Sequence, residues 1–132
     1  MIRQYTHKMI IAFTGHRDKT ISPDILIKLA NNYTDATWVH GGAKGFDSQV
    51  SEFAKLHRIT EIIIKPDYTH FGKHAPLLRN KTIVDLGELL IACYDNRQHG
   101  GTKYTIDYAH KQNKEVIIHN PDVIHFTTLP PI

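Results

Sequence analysis

The sequence predicts an α/β fold in which a mostly parallel, five-stranded sheet is covered by helices on both faces. Short apolar runs alternate along the chain with longer stretches whose apolar residues recur at helical spacing. The apolar runs lack a regular polar alternation, as expected for strands that are covered on both faces. This order of elements is typical of consecutive βαβ units, which place their strands side by side in parallel.

Five apolar runs are predicted to be the strands. Each run is followed by polar residues or glycine, which end a strand and carry the chain away from the sheet. The strand that comes first in the chain is expected at the centre of the sheet. The predicted strands are residues 9–13, 37–39, 61–64, 89–94 and 115–118.

Four helices are predicted around these strands. The first begins at Ser22-Pro23, because serine caps a helix, proline fits its first position and Asp24 suits its positive end. Residues 67–74 are predicted to be a long polar loop, and residues 119–132 an extended strap or partner contact. The other helices are predicted at residues 46–57, about 76–86 and around 104–109.

Composition limits the class of protein. The 132 residues suit a single domain whose core spans about residues 9–118, with 41% apolar and 22% charged residues typical of soluble globular proteins. The formal net charge of +3 fits a phosphate-bearing partner but not a dedicated nucleic-acid surface. The single cysteine, Cys93, excludes an internal disulfide and favours a reducing compartment. Without a predicted signal peptide or membrane span, we expect a cytoplasmic protein with no membrane partner.

Two glycine turns are the most informative part of the sequence. Residues 40–47 (HGGAKGFD) follow the second predicted strand, and Gly100-Gly101-Thr102 follows the fourth. A glycine turn between strand and helix leaves backbone N–H groups free at the positive end of the helix, where phosphate binds. Polar residues also follow the other strands, and the carboxyl ends of parallel strands share one edge of the sheet. The sequence therefore predicts one crevice that holds a nucleotide-type ligand.

The residues of the first turn have functional and structural interpretations. Gly41, Gly42 and Gly45 either cradle a phosphate or permit a tight turn with positive φ. Lys44 either adds charge to that cradle or is solvated. Asp47 either caps the free N–H groups of its own helix, the favoured interpretation, or acts on the ligand directly.

The residues after the first strand also have alternatives. Arg17 either donates to a phosphate or carboxylate of the ligand or pairs with Asp18. His16 either stacks on a base, shuttles a proton or packs the loop. Thr14 and Gly15 are small enough to let a ligand approach the backbone, and Thr102 can both cap its helix and bind a phosphate oxygen.

The predicted loop at residues 67–74 is rich in aromatic and histidine residues. Tyr68, His70, Phe71 and His74 are candidates for a wall on which a base stacks. The spacing of His70 and His74 suits a metal site only on a helix, so within a loop neither a metal nor another cofactor is predicted.

Four motifs in order resemble a known superfamily. Residues 13–18 (FTGHRD), 40–47, 78–80 (LRN) and 100–102 (GGT) are similar to the YspA and YpsA-related branch of the SLOG superfamily, over about residues 10–118. The resemblance implies a Rossmann-like three-layer fold, a nucleotide-derived ligand and, as in many SLOG proteins, a homo-oligomer. Relatives include the lonely-guy phosphoribohydrolases, which cleave the base–ribose bond of nucleoside monophosphates, and the DNA-processing protein A, which binds single-stranded DNA.

One difference from the lonely-guy enzymes concerns catalysis. Arg79 lies in register with an arginine of those enzymes, but Thr105 stands where they carry a glutamate after the second glycine turn. Cleavage of an N-glycosidic bond needs a carboxylate to stabilise positive charge or activate water. Asp47, Asp95 or Asp107 would have to replace it, so the hydrolase interpretation is weakened.

Three classes of function remain. The favoured one is binding of a nucleoside phosphate, an ADP-ribose-like molecule or a cyclic signalling nucleotide. The second is an N-glycosidic hydrolase or transferase, with Arg79, Asp47 and Asp107 as candidate catalytic residues. A single-stranded nucleic-acid binder ranks third, because the lysines and arginines are scattered. The predicted ligand-binding residues are Thr14, Gly15, His16, Arg17, Gly41, Gly42, Lys44, Gly45, Asp47, Arg79, Asn80, Gly100, Gly101 and Thr102.

Overall fold

A computed structural model of the chain describes residues 8–123. Within this range, five strands form one sheet in the order β3-β2-β1-β4-β5, and every neighbouring pair is parallel. The predicted α/β, Rossmann-like sheet is therefore confirmed, with β1 at its centre. The strands are β1 (Ile10–Gly15), β2 (Thr37–His40), β3 (Glu61–Ile63), β4 (Leu89–Cys93) and β5 (Glu115–His119).

Four helices of ten or more residues connect the strands, at the predicted places. Ser22 occupies the N-cap position of the first helix and proline follows it, although the serine side chain makes no capping hydrogen bond. The helices are α1 (Pro23–Asn32), α2 (Phe46–Leu56), a short α3 (Tyr68–Phe71), α4 (Ala75–Leu86) and α5 (Gly101–Lys111), with a 3₁₀ turn at Gly72–His74.

Two apolar clusters, one on each face of the sheet, make the fold a three-layer sandwich. Successive side chains of a strand point to opposite faces, so Ile11 and Phe13 enter one cluster while Ala12 enters the other. Helices α1 and α2 cover the first cluster, which contains Trp38. Helices α4 and α5 cover the second, through residues such as Ile83. β4 is buried along its whole length, as its unbroken apolar run predicts.

The prediction of a loop at residues 67–74 was wrong. Asp67 precedes α3 and accepts a hydrogen bond from the backbone N–H of His70 at 3.2 Å, so it caps a single helical turn. The turn ends at Gly72, whose φ of +53° does not continue a helix. The sequence signal for this short helix was a single residue, an aspartate at the N-cap position.

Residues 119–123 are the described part of the predicted C-terminal strap. His119 belongs to β5 and residues 121–123 form a turn, whereas the rest of the predicted strap lies outside the described residues. No helix between residues 8 and 123 is long and apolar enough to cross a membrane. Cys93 is buried, and burial raises the pKa of its thiol to about 11.

Candidate functional site

A cleft of about 460 Å³ lies at the carboxyl ends of the strands. The connections after β1 and β4 run to opposite faces of the sheet. In open α/β sheets, ligands bind in the crevice between two such connections. The predicted convergence of polar segments is therefore found for three of the four segments. The lining residues are 14–18 after β1, 43 and 47 after β2, 76, 77, 79 and 80 in α4, and 97 and 99–102 after β4.

The second glycine turn opens directly onto this cleft. Gly100 has a φ of +122°, which only glycine adopts readily, and no atom lies within 4 Å of the position that a Cβ would take. Helix α5 starts at Gly101 with no side-chain cap and no acidic residue in its first turn. Within residues 8–123, the backbone N–H groups of Gly101, Thr102 and Lys103 have no protein acceptor. Gly101 and Thr102 line the cleft, and free N–H groups at the positive end of a helix are suited to an anion.

The glycines of the first turn serve internal packing instead. A Cβ on Gly41 would overlap the Arg79 guanidinium, and one on Gly45 would overlap the backbone of Arg17. Gly42 has a φ of +70°. Its N–H donates to Nδ1 of His40 at 3.0 Å, so it is not free for a phosphate. These contacts favour the structural interpretation of all three glycines.

His40, which was not among the predicted site residues, holds this turn in place. Its ring is fully buried at the end of β2. Since Nδ1 accepts from Gly42, the proton of the neutral ring is on Nε2, which lies 2.6 Å from Oε2 of Glu61. Burial alone would raise the pKa of Glu61, but hydrogen bonding, above all with the His40 ring, lowers it overall.

Arg79 connects the two glycine turns. Its side chain is only 8% exposed, and Nη1 donates to the carbonyl oxygen of Gly41 at 2.6 Å. Nε donates to Oδ1 of Asn80 at 2.8 Å, and Nδ2 of Asn80 donates to the Thr105 hydroxyl at 2.9 Å. That hydroxyl donates to the carbonyl oxygen of Gly101 at 2.7 Å. Thr105, found where the lonely-guy enzymes carry glutamate, is therefore a link in a positioning network.

Asp47 lies in the wall of the cleft with one oxygen satisfied and one not. Oδ2 accepts from the N–H of Ala43 at 3.2 Å, so the carboxylate bonds the preceding turn rather than capping α2, and the favoured prediction was wrong. Oδ1 is buried and has no hydrogen-bond partner in the described part of the chain. Burial raises the pKa of Asp47 above its ordinary value, although His40, the nearby N–H groups of Ala43 and Gly41, and Arg79 oppose the shift.

His16 supports the loop that follows β4. Its ring is buried beside the cleft, and Nε2 lies 3.2 Å from the backbone nitrogen of Asp95 and 3.0 Å from Oδ1 of that residue. Burial lowers the pKa of His16, although the Asp95 carboxylate acts in the opposite direction. The ring also packs at an angle against Tyr94. These contacts favour the loop-packing interpretation among the three that the sequence allowed.

Arg97 neutralises two carboxylates at the rim of the cleft. It binds Asp95 through Nε at 2.9 Å and Nη2 at 2.7 Å, and Nη2 lies 3.1 Å from Oδ1 of Asp18. The bidentate partner holds the pKa of Asp95 well below its usual range. Of the two interpretations of Arg17, the pair with Asp18 is therefore not found, because Asp18 lies beside Arg97. Asp95 is not free to replace the missing glutamate.

Arg17 and Lys44, the two positively charged residues predicted to bind the ligand, differ in their position relative to the cleft. Arg17 is exposed and lines the cleft, and its guanidinium makes no hydrogen bond or ion pair within residues 8–123. Lys44 is exposed but does not line the cleft. The structure thus leaves Arg17 as a free forked donor at the cleft, and leaves Lys44 in solvent.

The remaining candidate site residues either lie away from the cleft or make contacts other than the predicted ones. Asp107 is on the exposed side of α5, where it pairs with Lys103 at 2.7 Å. Thr102 lines the cleft as the second residue of α5 and is not its cap, which is Gly100. The aromatic and histidine residues of 68–74 do not line the cleft, and no cluster of three or more metal-ligating side chains occurs among the described residues.

Sequence reasoning missed several lining residues. Pro76 and Leu77 supply the apolar surface at the start of α4, and Arg97 and His99 belong to the loop before Gly100. Their signal was their position directly beside predicted motifs, since a cleft is lined by the neighbours of a turn as well as by the turn. The other missed lining residues are Asp18 and Ala43.

The fold and this cleft define an α/β protein with a polar site at the switch point of a Rossmann-like sheet. Comparison of the chain with models of protein families, with curated proteins and with solved structures gives no match.

Proposed function

We propose that the protein binds a nucleotide or nucleotide-derived ligand, with a phosphate at the start of α5. The observation that carries this proposal is the uncapped N-terminus of α5, whose glycine turn faces a cleft large enough for a small ligand. Gly100 leaves open space beside the free N–H groups. The resemblance to SLOG proteins supports the same class of ligand.

The other walls of the cleft fit the remaining parts of such a molecule. Arg17 supplies an unpaired guanidinium that forms two parallel hydrogen bonds with a phosphate. Pro76 and Leu77 supply apolar surface for a base. The Arg79–Asn80–Thr105 network holds the Gly101 carbonyl and thereby fixes the start of α5. In this proposal Arg79 and Asn80 position the site more than they contact the ligand.

Cleavage of an N-glycosidic bond is the second candidate, and Asp47 is the observation that favours it. Of the aspartates that the sequence offered as replacements for glutamate, Asp47 alone lines the cleft, whereas Asp95 is held by Arg97 and Asp107 by Lys103. An acceptor for protons or positive charge is thus present. We rank cleavage below binding because the carboxylate shares its Oδ2 with the backbone.

A thermal-shift screen tests the proposal. Nucleoside 5′-monophosphates, ADP-ribose, cyclic dinucleotides and a single-stranded oligonucleotide are added separately, and each mixture is analysed chromatographically for released base. Stabilisation by a nucleotide without base release is expected, and RT ln(1 + [L]/Kd) sets its size. Base release favours cleavage. Stabilisation by the oligonucleotide alone, or by none of the compounds, contradicts the proposal.

A further inference from the structure

We infer that Oδ1 of Asp47 accepts a hydrogen bond from a sugar hydroxyl of the ligand, so that the site selects a hydroxylated sugar phosphate. The inference rests on the proposed function, since it assumes an anion at the start of α5. It assigns Asp47 a role in recognition that is independent of any catalytic role.

The state of the Asp47 carboxylate is the starting point. The residue is only 6% exposed, and Oδ1 has no hydrogen-bond partner in the described part of the chain. Buried polar atoms of folded proteins nearly always have a partner, because an unsatisfied one loses its hydration without compensation. The carboxylate cannot turn away freely, since Oδ2 is bound to the N–H of Ala43. Oδ1 is therefore a buried acceptor without a hydrogen-bond donor, on a residue that lines the cleft.

The charge of the carboxylate restricts the group that can supply this donor. A phosphate at Asp47 would be repelled, whereas the N–H groups of Gly101 and Thr102 attract it. Helices α2 and α5 cover opposite faces of the sheet, and the cleft includes the first turns of both. A ligand that uses both sites therefore carries its phosphate at α5 and a neutral hydrogen-bond donor at α2.

The surroundings of Asp47 favour a sugar hydroxyl over a base as that donor. A base needs apolar or aromatic surface, and the apolar lining residues Pro76 and Leu77 belong to α4, on the other face of the sheet. Close to Asp47 the cleft is lined by Ala43, whose N–H donates to Oδ2, and by Arg79, whose positive charge acts on the carboxylate. A hydroxyl fits such a place, and in a nucleotide the sugar is the part joined directly to the phosphate.

The test uses ribose 5-phosphate, a probe that carries the anion and the hydroxyls but no base. Its affinity is measured by titration calorimetry together with those of 2-deoxyribose 5-phosphate, 3-deoxyribose 5-phosphate and orthophosphate. A hydrogen bond to a charged acceptor predicts that ribose 5-phosphate binds about 10- to 100-fold more tightly than orthophosphate and than at least one of the deoxy sugars.

A variant of the acceptor completes the test. Asp47→Asn is expected to abolish the preference for ribose 5-phosphate while orthophosphate binds at least as tightly as before, because a negative charge leaves the cleft. A purely structural role for Asp47 would weaken both ligands together. Asp107→Asn, an exposed aspartate outside the cleft, is the matched control and should leave the preference unchanged.

The outcomes separate this inference from the proposed function. If orthophosphate and ribose 5-phosphate bind equally well, or if both deoxy sugars bind as well as ribose 5-phosphate, the inference is wrong and the anion site stands. If no phosphate compound binds, both fail. Since the sugar comparison uses the unaltered protein, it decides the question even when Asp47→Asn does not fold.

Discussion

Replacement of Arg79 by alanine should destabilise the whole domain. Arg79 is nearly buried and makes two short hydrogen bonds, to the Gly41 carbonyl at 2.6 Å and to Asn80 Oδ1 at 2.8 Å. A bond from a charged donor contributes about 1.5 kcal/mol or more, so the expected loss in free energy of unfolding is about 3 kcal/mol. With about 2.1 cal/mol/K of unfolding entropy per residue, a chain of 132 residues should melt roughly 10 °C lower.

The assay is denaturant unfolding followed by the fluorescence of Trp38, the single tryptophan. Its buried ring packs against Phe13 at 4.8 Å and Phe53 at 5.5 Å between ring centroids, so its emission reports the core. Arg17→Ala is the control: Arg17 is exposed and its guanidinium makes no hydrogen bond or ion pair within residues 8–123, so this variant should unfold close to the unaltered protein. A loss below about 1 kcal/mol for Arg79→Ala would refute the network as a stabilising element.

Three further variants test the cleft. Arg17→Ala should weaken orthophosphate binding by about tenfold, as one charge-assisted pair is lost, whereas Lys44→Ala should not change it; calorimetry measures both. Asp47→Asn should melt higher than the unaltered protein at pH 7, and the difference should shrink as the pH falls toward 4. Gly100→Ala should lower the free energy of unfolding by about 1–3 kcal/mol, because its backbone conformation suits only glycine, and should weaken phosphate binding.

The sign of the Asp47 prediction follows from proton linkage. Its pKa is raised in the folded state, so between its ordinary value of 3.8 and that raised pKa the folded protein holds the proton more tightly than the unfolded chain. Stability therefore increases as the pH falls through the folded pKa toward 3.8, and this gain is absent in Asp47→Asn. A melting difference that stays constant from pH 7 to pH 4 would contradict the raised pKa.

Different outcomes would contradict the other two predictions. Equal losses of phosphate affinity in Arg17→Ala and Lys44→Ala would show that the effect is one of net charge rather than of a contact in the cleft. Unchanged stability of Gly100→Ala would mean that the second turn adopts another backbone conformation in solution.

The sheet was predictable because its signals are local. The apolar residues of β4 are consecutive in the chain, and the buried apolar residues of α2 recur at short helical spacing. The order of such strands and helices determines the parallel arrangement. The short α3 was missed because a single capped turn has too few residues to show a helical period. Strand boundaries differed by only a residue or two, as at β1, which begins at Ile10 and ends at Gly15.

The cleft was predictable in place but not in detail. Strand ends were enough to locate it, since parallel strands share one carboxyl edge. The roles of the glycines were not, because Gly41 and Arg79 are 38 residues apart and only the folded chain shows the guanidinium packed on that glycine. The buried ring of His40 and the unpartnered oxygen of Asp47 likewise depend on tertiary contacts. For the same reason neither Arg79→Ala nor Gly42→Val, at a position whose φ is +70°, is expected to leave the fold intact.

The contact between Gly41 and the Arg79 guanidinium has a consequence for how this protein can be altered. A larger residue at position 41 overlaps the arginine, while a smaller residue at position 79 leaves the Gly41 carbonyl without its donor. The two positions, 38 residues apart in the chain, therefore constrain each other's choice of amino acid. Redesign of the first turn has to begin in α4, and a library that varies residues 40–47 alone will recover glycine at position 41 for as long as Arg79 is kept.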